Sequence, residues 1–328
     1  MLKMKNLVDN RELAIYLLGN WDYDSNQLDI LNHFRISSNA VYSFFCNDNV
    51  NFLRFAPVEE KEPFSVQAEL EFLRYLKTNG YNSVETVVSK NGEEFVVTKT
   101  PWGSYIATVF KGAPGKQLSQ IEYSDALYFG YGEALGKLHS MSKHYTPNIR
   151  RRDWKENLDW ADKILKECDA PEKAFEEVLI IKNFFSNLPM TPDNYGLVHY
   201  DFELDNVFFD SESGLYTPID FDDSMYNWFV VDIEQSLESI KDELDNQYHD
   251  NATKKFIDGY RLKIDVDESL LGIMPLFKRF VDLFGYTRCL HCIHEPIEHE
   301  EEWMPPLKEQ LEISMVKRSE NFGKEIYI

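Results

Sequence analysis

The stretch that decides the fold is His199-Tyr200-Asp201-Phe202-Glu203-Leu204-Asp205-Asn206, followed further on by Ile219-Asp220-Phe221-Asp222. As spacing this is H-x-D-x-x-x-x-N and then an apolar strand ending in Asp. Phosphoryl transfer from a nucleotide needs such a set. A carboxylate must sit near the attacking hydroxyl, and an amide and a second carboxylate must hold Mg²⁺ on the phosphates. Asp201 would orient the acceptor hydroxyl and accept its proton, while Asn206 and Asp220 would be the metal ligands. A hairpin with acidic turn residues and no chemistry is the plainer alternative.

The flanks agree with the chemical reading. Tyr195-Gly196-Leu197-Val198-His199 is apolar and predicts a short buried strand. Val207-Phe208-Phe209 predicts the next strand, Ser211-Glu212-Ser213-Gly214 a turn, and Leu215-Tyr216-Thr217-Pro218-Ile219 the return to Asp220. Antiparallel pairing of these two strands brings Asn206 and Asp220 together despite their separation in sequence.

This pattern resembles the aminoglycoside phosphotransferase and choline kinase superfamily, the small-molecule relatives of protein kinases. The resemblance runs from about Leu28 to Leu290. It implies an α+β, two-lobed, protein-kinase-like fold. Residues 1–110 would form an antiparallel sheet plus helix that binds nucleotide, 111–115 a hinge, and 116–328 a mainly helical catalytic and substrate lobe. It also implies a role for Asp232, in Val230-Val231-Asp232-Ile233, as a buried acceptor of backbone N–H groups from the catalytic loop, supporting geometry together with His199.

At 328 residues the chain can bury one large or two moderate cores. It has no apolar run long enough to span a bilayer and no signal-peptide pattern at its N-terminus. Cys46, Cys168, Cys289 and Cys292 do not suggest a disulfide framework, so a reduced, cytoplasmic setting is expected. A formal net charge of −22 opposes a nucleic-acid partner and suits a cationic small molecule.

Along the chain, Leu7 to Leu18 predicts a helix. Leu28 to Ile36, Ala40 to Cys46 and Val50 to Ala56 predict strands, separated by the turn clusters 37–39 and 47–49. Pro63 opens a helix to about Thr78, ended by Asn79-Gly80. Strands follow around Val84 to Val88, Glu94 to Lys99 and Tyr105 to Phe110, the first two joined by an Asn91-Gly92 hairpin turn. Lys111-Gly112-Ala113-Pro114-Gly115 interrupts the pattern as a hinge, and by the resemblance Val109, Phe110 and Lys111 are candidate contacts for the nucleotide base. Tyr123 to Met141, Trp154 to Lys166 and Pro171 to Asn187 then predict helices. His139 reads as a packing histidine.

The remaining nucleotide contacts also come from the resemblance. Ser37-Ser38-Asn39-Ala40-Val41-Tyr42 stands where protein kinases carry a glycine-rich loop, and it has no glycine. Ser38, Asn39, Val41 and Tyr42 fit the family's S-x-N-x-V-Y form. Arg54 occupies the third strand, where the phosphate-neutralising cation belongs. Its partner would be Glu69 in E-L-E-F-L-R-Y-L, matching the family's E-x-x-x-L-x-x-L, with Glu71 facing solvent. Asp222 would either reach a metal-bound water or face solvent.

The interval from Asp220 to Asp232 is too short for an activation loop, which argues for a small hydroxylated acceptor over a protein. Glu203, Tyr226, Trp228, Phe229 and Arg288 are candidate acceptor contacts, aromatic faces favouring an ammonium group. Cys289, His291, Cys292, His294 and His299 form a second cluster. A helix from Phe277 to Ile293 would put Cys289 and Cys292 on one face and His291 on another, which opposes a zinc site. The expected activity is transfer of the γ-phosphoryl of ATP, with GTP left open, to a small molecule with Mg²⁺. A protein Ser/Thr kinase and a nucleotide-binding regulator without turnover are the alternatives.

Overall fold

The computed structural model describes residues 1–266, 268–297 and 300–325, so His299 lies outside the described residues. The N-terminal part holds α1 (Arg11–Leu18), β1 (Phe34–Ile36), β2 (Ala40–Cys46), β3 (Asn49–Pro57), α2 (Pro63–Thr78), β4 (Thr86–Val87), β5 (Phe95–Thr100) and β6 (Gly103–Lys111). These strands form one antiparallel sheet in which β6 pairs with β3 on one side and with β4 and β5 on the other.

Alternation along β6 divides it between two cores, because successive side chains point to opposite faces. Ala107 and Val109 join Leu53, Tyr42, Leu17 and Trp21 under α1. Ile106 and Phe110 join Leu70, Leu73 and Leu76 of α2 in the core that continues into the helical lobe. Helix α2 is therefore the seam between lobes. Tyr75, near its end, donates to the Met141 carbonyl at 3.0 Å, and Phe72 packs edge-on against Phe221 at 6.1 Å.

The helical lobe begins with β7 (Lys116–Gln117), then α3 (Asp125–Ser142), α4 (Trp154–Glu167) and α5 (Glu172–Ser186). The hairpin region follows as β8 (Tyr195–Val198), β9 (Val207–Asp210), β10 (Leu215–Pro218) and β11 (Met225–Trp228). The chain closes with α6 (Val230–Glu243), α7 (His249–Tyr260), α8 (Glu268–Leu271), α9 (Met274–Ile293) and α10 (Met304–Arg318). Strands β10, β9 and β7 form one sheet, and β11 pairs with β8. Among the described residues no helix is long and apolar enough to cross a membrane.

Four local expectations need correction. The first helix starts at Arg11 and not Leu7, because Asn10 caps it by accepting from the Leu13 amide at 2.9 Å. The expected strand from Leu28 is a 3-10 turn over Leu28–Asn32, with only Phe34–Ile36 extended. The Asp and Asn side chains in that run favour local turns over a ladder. The Asn91-Gly92 turn does not join paired strands, since β4 and β5 lie end to end along β6 and the hairpin is β5–β6. Finally, Val109 and Phe110 sit inside the sheet with partners on both sides, and the Lys111 amide donates to Glu85 O at 2.8 Å. The backbone edges of Val109 and Phe110 and the Lys111 amide are thus engaged by the sheet, and the Gly112 amide bonds Val50 O at 3.0 Å.

Two glycines set close approaches. Gly115 has φ +87°, and a Cβ there would fall 2.1 Å from Phe209 O, so the hinge can pass over β9 only as glycine. Where α3 crosses α7, a Cβ on Gly132 would lie 1.8 Å from Phe256 O. Gly132→Ala is expected to force the helices apart and cost about 1–3 kcal/mol or more, the range for overpacking. A urea midpoint equal to that of the parent would show that the crossing is looser than described.

Candidate active site

The catalytic loop is shaped by a carboxylate below it. Asp232, fully buried on α6, accepts from the backbone N–H of His199 and of Tyr200, each at 2.7 Å, and lies 3.0 Å from His139 Nε2. His139 is completed by the Tyr260 hydroxyl at 2.8 Å. Tyr200 takes a left-handed backbone, φ 65°, which a bulky residue adopts only when its surroundings impose it.

More of α6 serves the same loop. Gln235 Nε2 donates to Tyr200 O at 3.1 Å, Ser236 Oγ to Phe202 O at 2.9 Å, and Ser239 Oγ receives the Leu204 amide at 3.0 Å. Sequence reasoning did not single out these three residues. Their signal was present as uncharged polar residues three, four and seven positions after Asp232, on its side of the helix.

Asp201 and Asn206 touch. The Asn206 amide nitrogen donates to Asp201 Oδ2 at 2.7 Å and to Asp201 O at 3.1 Å, which leaves Asn206 Oδ1 as the free acceptor. The β9–β10 hairpin then delivers Asp220, for Ile219 N bonds Asn206 O at 2.9 Å. His199 ties the two strands of the site together. Its Nε2–H donates to Ile219 O at 2.9 Å and its Nδ1 accepts the Asp201 amide at 3.2 Å. That pairing requires the neutral ring, and burial lowers its pKa to about 4.

Asp220 also has a left-handed backbone, φ 58°, and its carboxylate keeps 45 % of its surface at the cleft. Desolvation by the cleft walls and the neighbouring Asp222 charge raise its pKa to about 6. Burial, followed by the charges of Glu203, Asp223 and Asp220, pushes Asp201 well above the usual carboxylate range.

Arg54 and Glu69 form a buried bidentate pair at 2.9 and 2.6 Å, with Arg54 also 3.7 Å from Asp220 and stacked 4.8 Å over the Phe110 ring. Asp222 does not face solvent. It is buried, and its Oδ2 accepts from Lys61 at 2.5 Å and Asn39 at 2.9 Å. Burial opposes its ionisation, but Lys61 and Arg54 hold its pKa well below the ordinary value. Lys61, absent from the sequence reading, thus anchors this acid from the β3–α2 turn. Arg151, likewise missed, fixes the same segment through the carbonyls of Asp222, Ser224 and Ser65.

Several expected contacts lie elsewhere. Ser38 and Asn39 do reach the cleft, but both side chains bond the helical lobe, Ser38 to Arg288 at 2.5 Å and Asn39 to Asp222. Glu71 is half-buried and not free; it accepts from the Asn148 amide at 2.6 Å and the Tyr145 hydroxyl at 3.2 Å. Trp228 is fully buried among Trp154, Phe185 and Phe277, its indole N–H given to Pro189 O, so it lines no pocket. Phe229 stacks on His139 in the core. Tyr226 lies in β11 under the Arg150 guanidinium, outside the group around Asp201. Glu203 is half-buried, and the charges acting on it are Asp205, Arg318, Asp242 and Glu243, which aims it at the α6 and α10 side. Cys289 and Cys292 pack with Met4, Met304 and Leu311 in an apolar cluster.

Comparison with known proteins adds three kinds of match. The model of the family described as phosphotransferase enzyme family matches residues 38–262. Amicoumacin kinase of Bacillus subtilis (strain 168) is 27 % identical over 291 residues, covering 84 % of this chain and 85 % of that protein. Among solved structures, amicoumacin kinase hAmiN in complex with AMP-PNP, Ca²⁺ and Ami superimposes with TM-score 0.75 at 18 % identity, covering 95 % and 94 % of the two chains. A microcompartment-associated aminopropanol kinase gives 0.68 at 17 % identity, covering 95 % and 97 %.

Within the site, Glu69→Ala leaves a buried guanidinium without its fork partner. It is expected to destabilise the protein on the order of 3–5 kcal/mol, towards the lower end because Asp220 and Asp222 stand close by. The double variant with Arg54→Ala should cost less than the two singles together. Chemical denaturation of the four proteins checks this, and full additivity would mean that the pair is not coupled.

Proposed function

We propose a reaction from one premise: the chain belongs to the phosphotransferase enzyme family and is a kinase of small molecules. In this reading it moves the γ-phosphoryl of ATP to a hydroxyl of a small acceptor. The observation that carries it is the Asp201–Asn206–Asp220 set, joined by the Asn206 bond to Asp201 and the Ile219 bond to Asn206.

Asp201 receives the proton of the attacking hydroxyl. Its raised affinity for a proton suits a general base, whose pKa works best near the operating pH. Asn206 holds Asp201 in one rotamer. Arg54, fixed by Glu69, faces the cleft as a cation for nucleotide phosphates. Catalysis then consists mostly of positioning and charge neutralisation.

The residues fit a hard divalent cation. Asp220 offers an accessible carboxylate, Asn206 an unspent amide oxygen, and the crowded acids need positive charge. Asn206 and Asp220 would hold Mg²⁺, which when bound supplies charge neutralisation on the phosphates.

The cleft itself is acidic. Glu203, Asp223 and Asp220 all bear on Asp201 as negative charges, which favours an acceptor carrying an ammonium group. The relatives' names, amicoumacin kinase and aminopropanol kinase, both denote small-molecule acceptors.

A coupled ADP-release screen over hydroxylated amines and antibiotics tests this reading. Asp201→Asn is expected to fold, bind nucleotide and lose about two or more orders of magnitude in turnover. Asp220→Ala should disturb the Mg²⁺ titration more than Asn206→Ala, because it removes charge. Near-parent turnover in Asp201→Asn would remove that residue from the mechanism.

A further inference from the structure

Helix α9 lies outside the sheet, hinge and hairpin that make up the site, yet it sends one cation into the cleft. Arg288 NH1 donates to Asp223 Oδ2 at 2.6 Å and NH2 to Ser38 Oγ at 2.5 Å. Ser38 belongs to the turn between β1 and β2 that closes the cleft from above. Asp223 follows Asp220 on its floor. A single guanidinium thus spans the gap between the loop that must pass the phosphates and the loop that carries the proposed metal ligand.

Each cation of the cleft has its own anchor. Arg54, the cation proposed for the nucleotide phosphates, is held by Glu69, Lys61 bonds Asp222, Arg151 bonds three backbone carbonyls, and Arg288 differs in having an uncharged hydroxyl as one of its two partners. Beside Asp201, itself buried, stand the negative charges of Glu203, Asp223 and Asp220 and the positive charge of Arg288. The Arg288 side chain keeps 21 % exposure, with the Phe284 ring 5.8 Å from the guanidinium carbon. A guanidinium has five donors, and the uncharged serine hydroxyl is an acceptor that an anionic oxygen would outcompete.

We propose that Arg288 is a catalytic residue, an arginine supplied in cis that neutralises charge on the phosphoryl group during transfer. The proposal rests on the phosphotransferase reading. The acceptor oxygen forms a bond to the γ-phosphorus as the bond from that phosphorus to the β–γ bridging oxygen breaks. ADP leaves with the electron pair, and the acceptor proton passes to Asp201. Charge on the three equatorial oxygens is met by the Arg288 guanidinium, which gives up Ser38 to do so while Asp223 keeps it oriented.

The test uses the full chain with Arg288→Ala, or Arg288→Gln if the alanine variant does not fold. Two readouts are taken: ATP hydrolysis with water as acceptor, and affinity for Mg·ADP with and without aluminium fluoride, a mimic of the phosphoryl in flight. The variant should bind Mg·ADP as the parent does, within about twofold. It should lose about tenfold or more of the tightening by aluminium fluoride and about 10³-fold or more of hydrolysis, the scale of an arginine finger. Added guanidinium ion at millimolar concentration should restore part of both. Parent-like tightening and hydrolysis in the variant would overturn the proposal, as would an equal loss of plain Mg·ADP affinity, which would make Arg288 a latch for Ser38. Failure of the parent itself to bind nucleotide would strike at the phosphotransferase reading instead.

Discussion

Everything at the cleft depends on one buried carboxylate. Asp232 takes the amides of His199 and Tyr200 and the imidazole of His139, and these bonds hold the chain in the left-handed turn that presents Asp201. A buried charge is tolerated only when hydrogen bonds replace its water. Here the replacement donors are the backbone of the loop itself, so the cost of burying Asp232 is offset by fixing the loop. His199 then passes the order on to Asp201 and Ile219, and through Ile219 to Asp220.

The second constraint is the seam made by α2. Its Leu70, Leu73 and Leu76 pack into the core of the helical lobe, while Glu69 holds Arg54 of the sheet. Phe72 meets Phe221, the residue after Asp220. One helix therefore sets the distance from the sheet's cation to the hairpin's acids. Asn39, Lys61 and Arg288 close the front of the same cleft against Asp222 and Asp223. The acids outnumber what Lys61 and Arg288 neutralise, which leaves Asp201 and Asp220 short of positive charge.

The sequence carried the local chemistry better than the long-range pairing. The H-x-D-x-x-x-x-N spacing placed Asp201, Asn206 and Asp220 together because a hairpin is a local object whose register follows from its turn. Arg54 and Glu69 were legible from a strand followed by a helix with one inward acid. Glu71 was misjudged because helical periodicity shows which side a residue takes, but not that the loop at 145–148 folds back over it. Trp228 and Phe229 failed for a related reason: an aromatic next to a site in sequence is as often under it as in it. Lys61, Arg151 and the α9 arginine had no motif to announce them, since each acts across elements far apart in the chain.

The backbone amides of residues 199 and 200 report most directly on the grip of Asp232. Hydrogen exchange read at these positions needs no substrate. They should exchange as slowly as the surrounding core in the parent protein, and Asp232→Asn, which replaces an acceptor with a donor, should open them while the strands of the N-terminal sheet stay protected. Exchange in the parent as fast as at the exposed turn 211–213, or no change in the variant, would contradict the claim that Asp232 builds the catalytic loop.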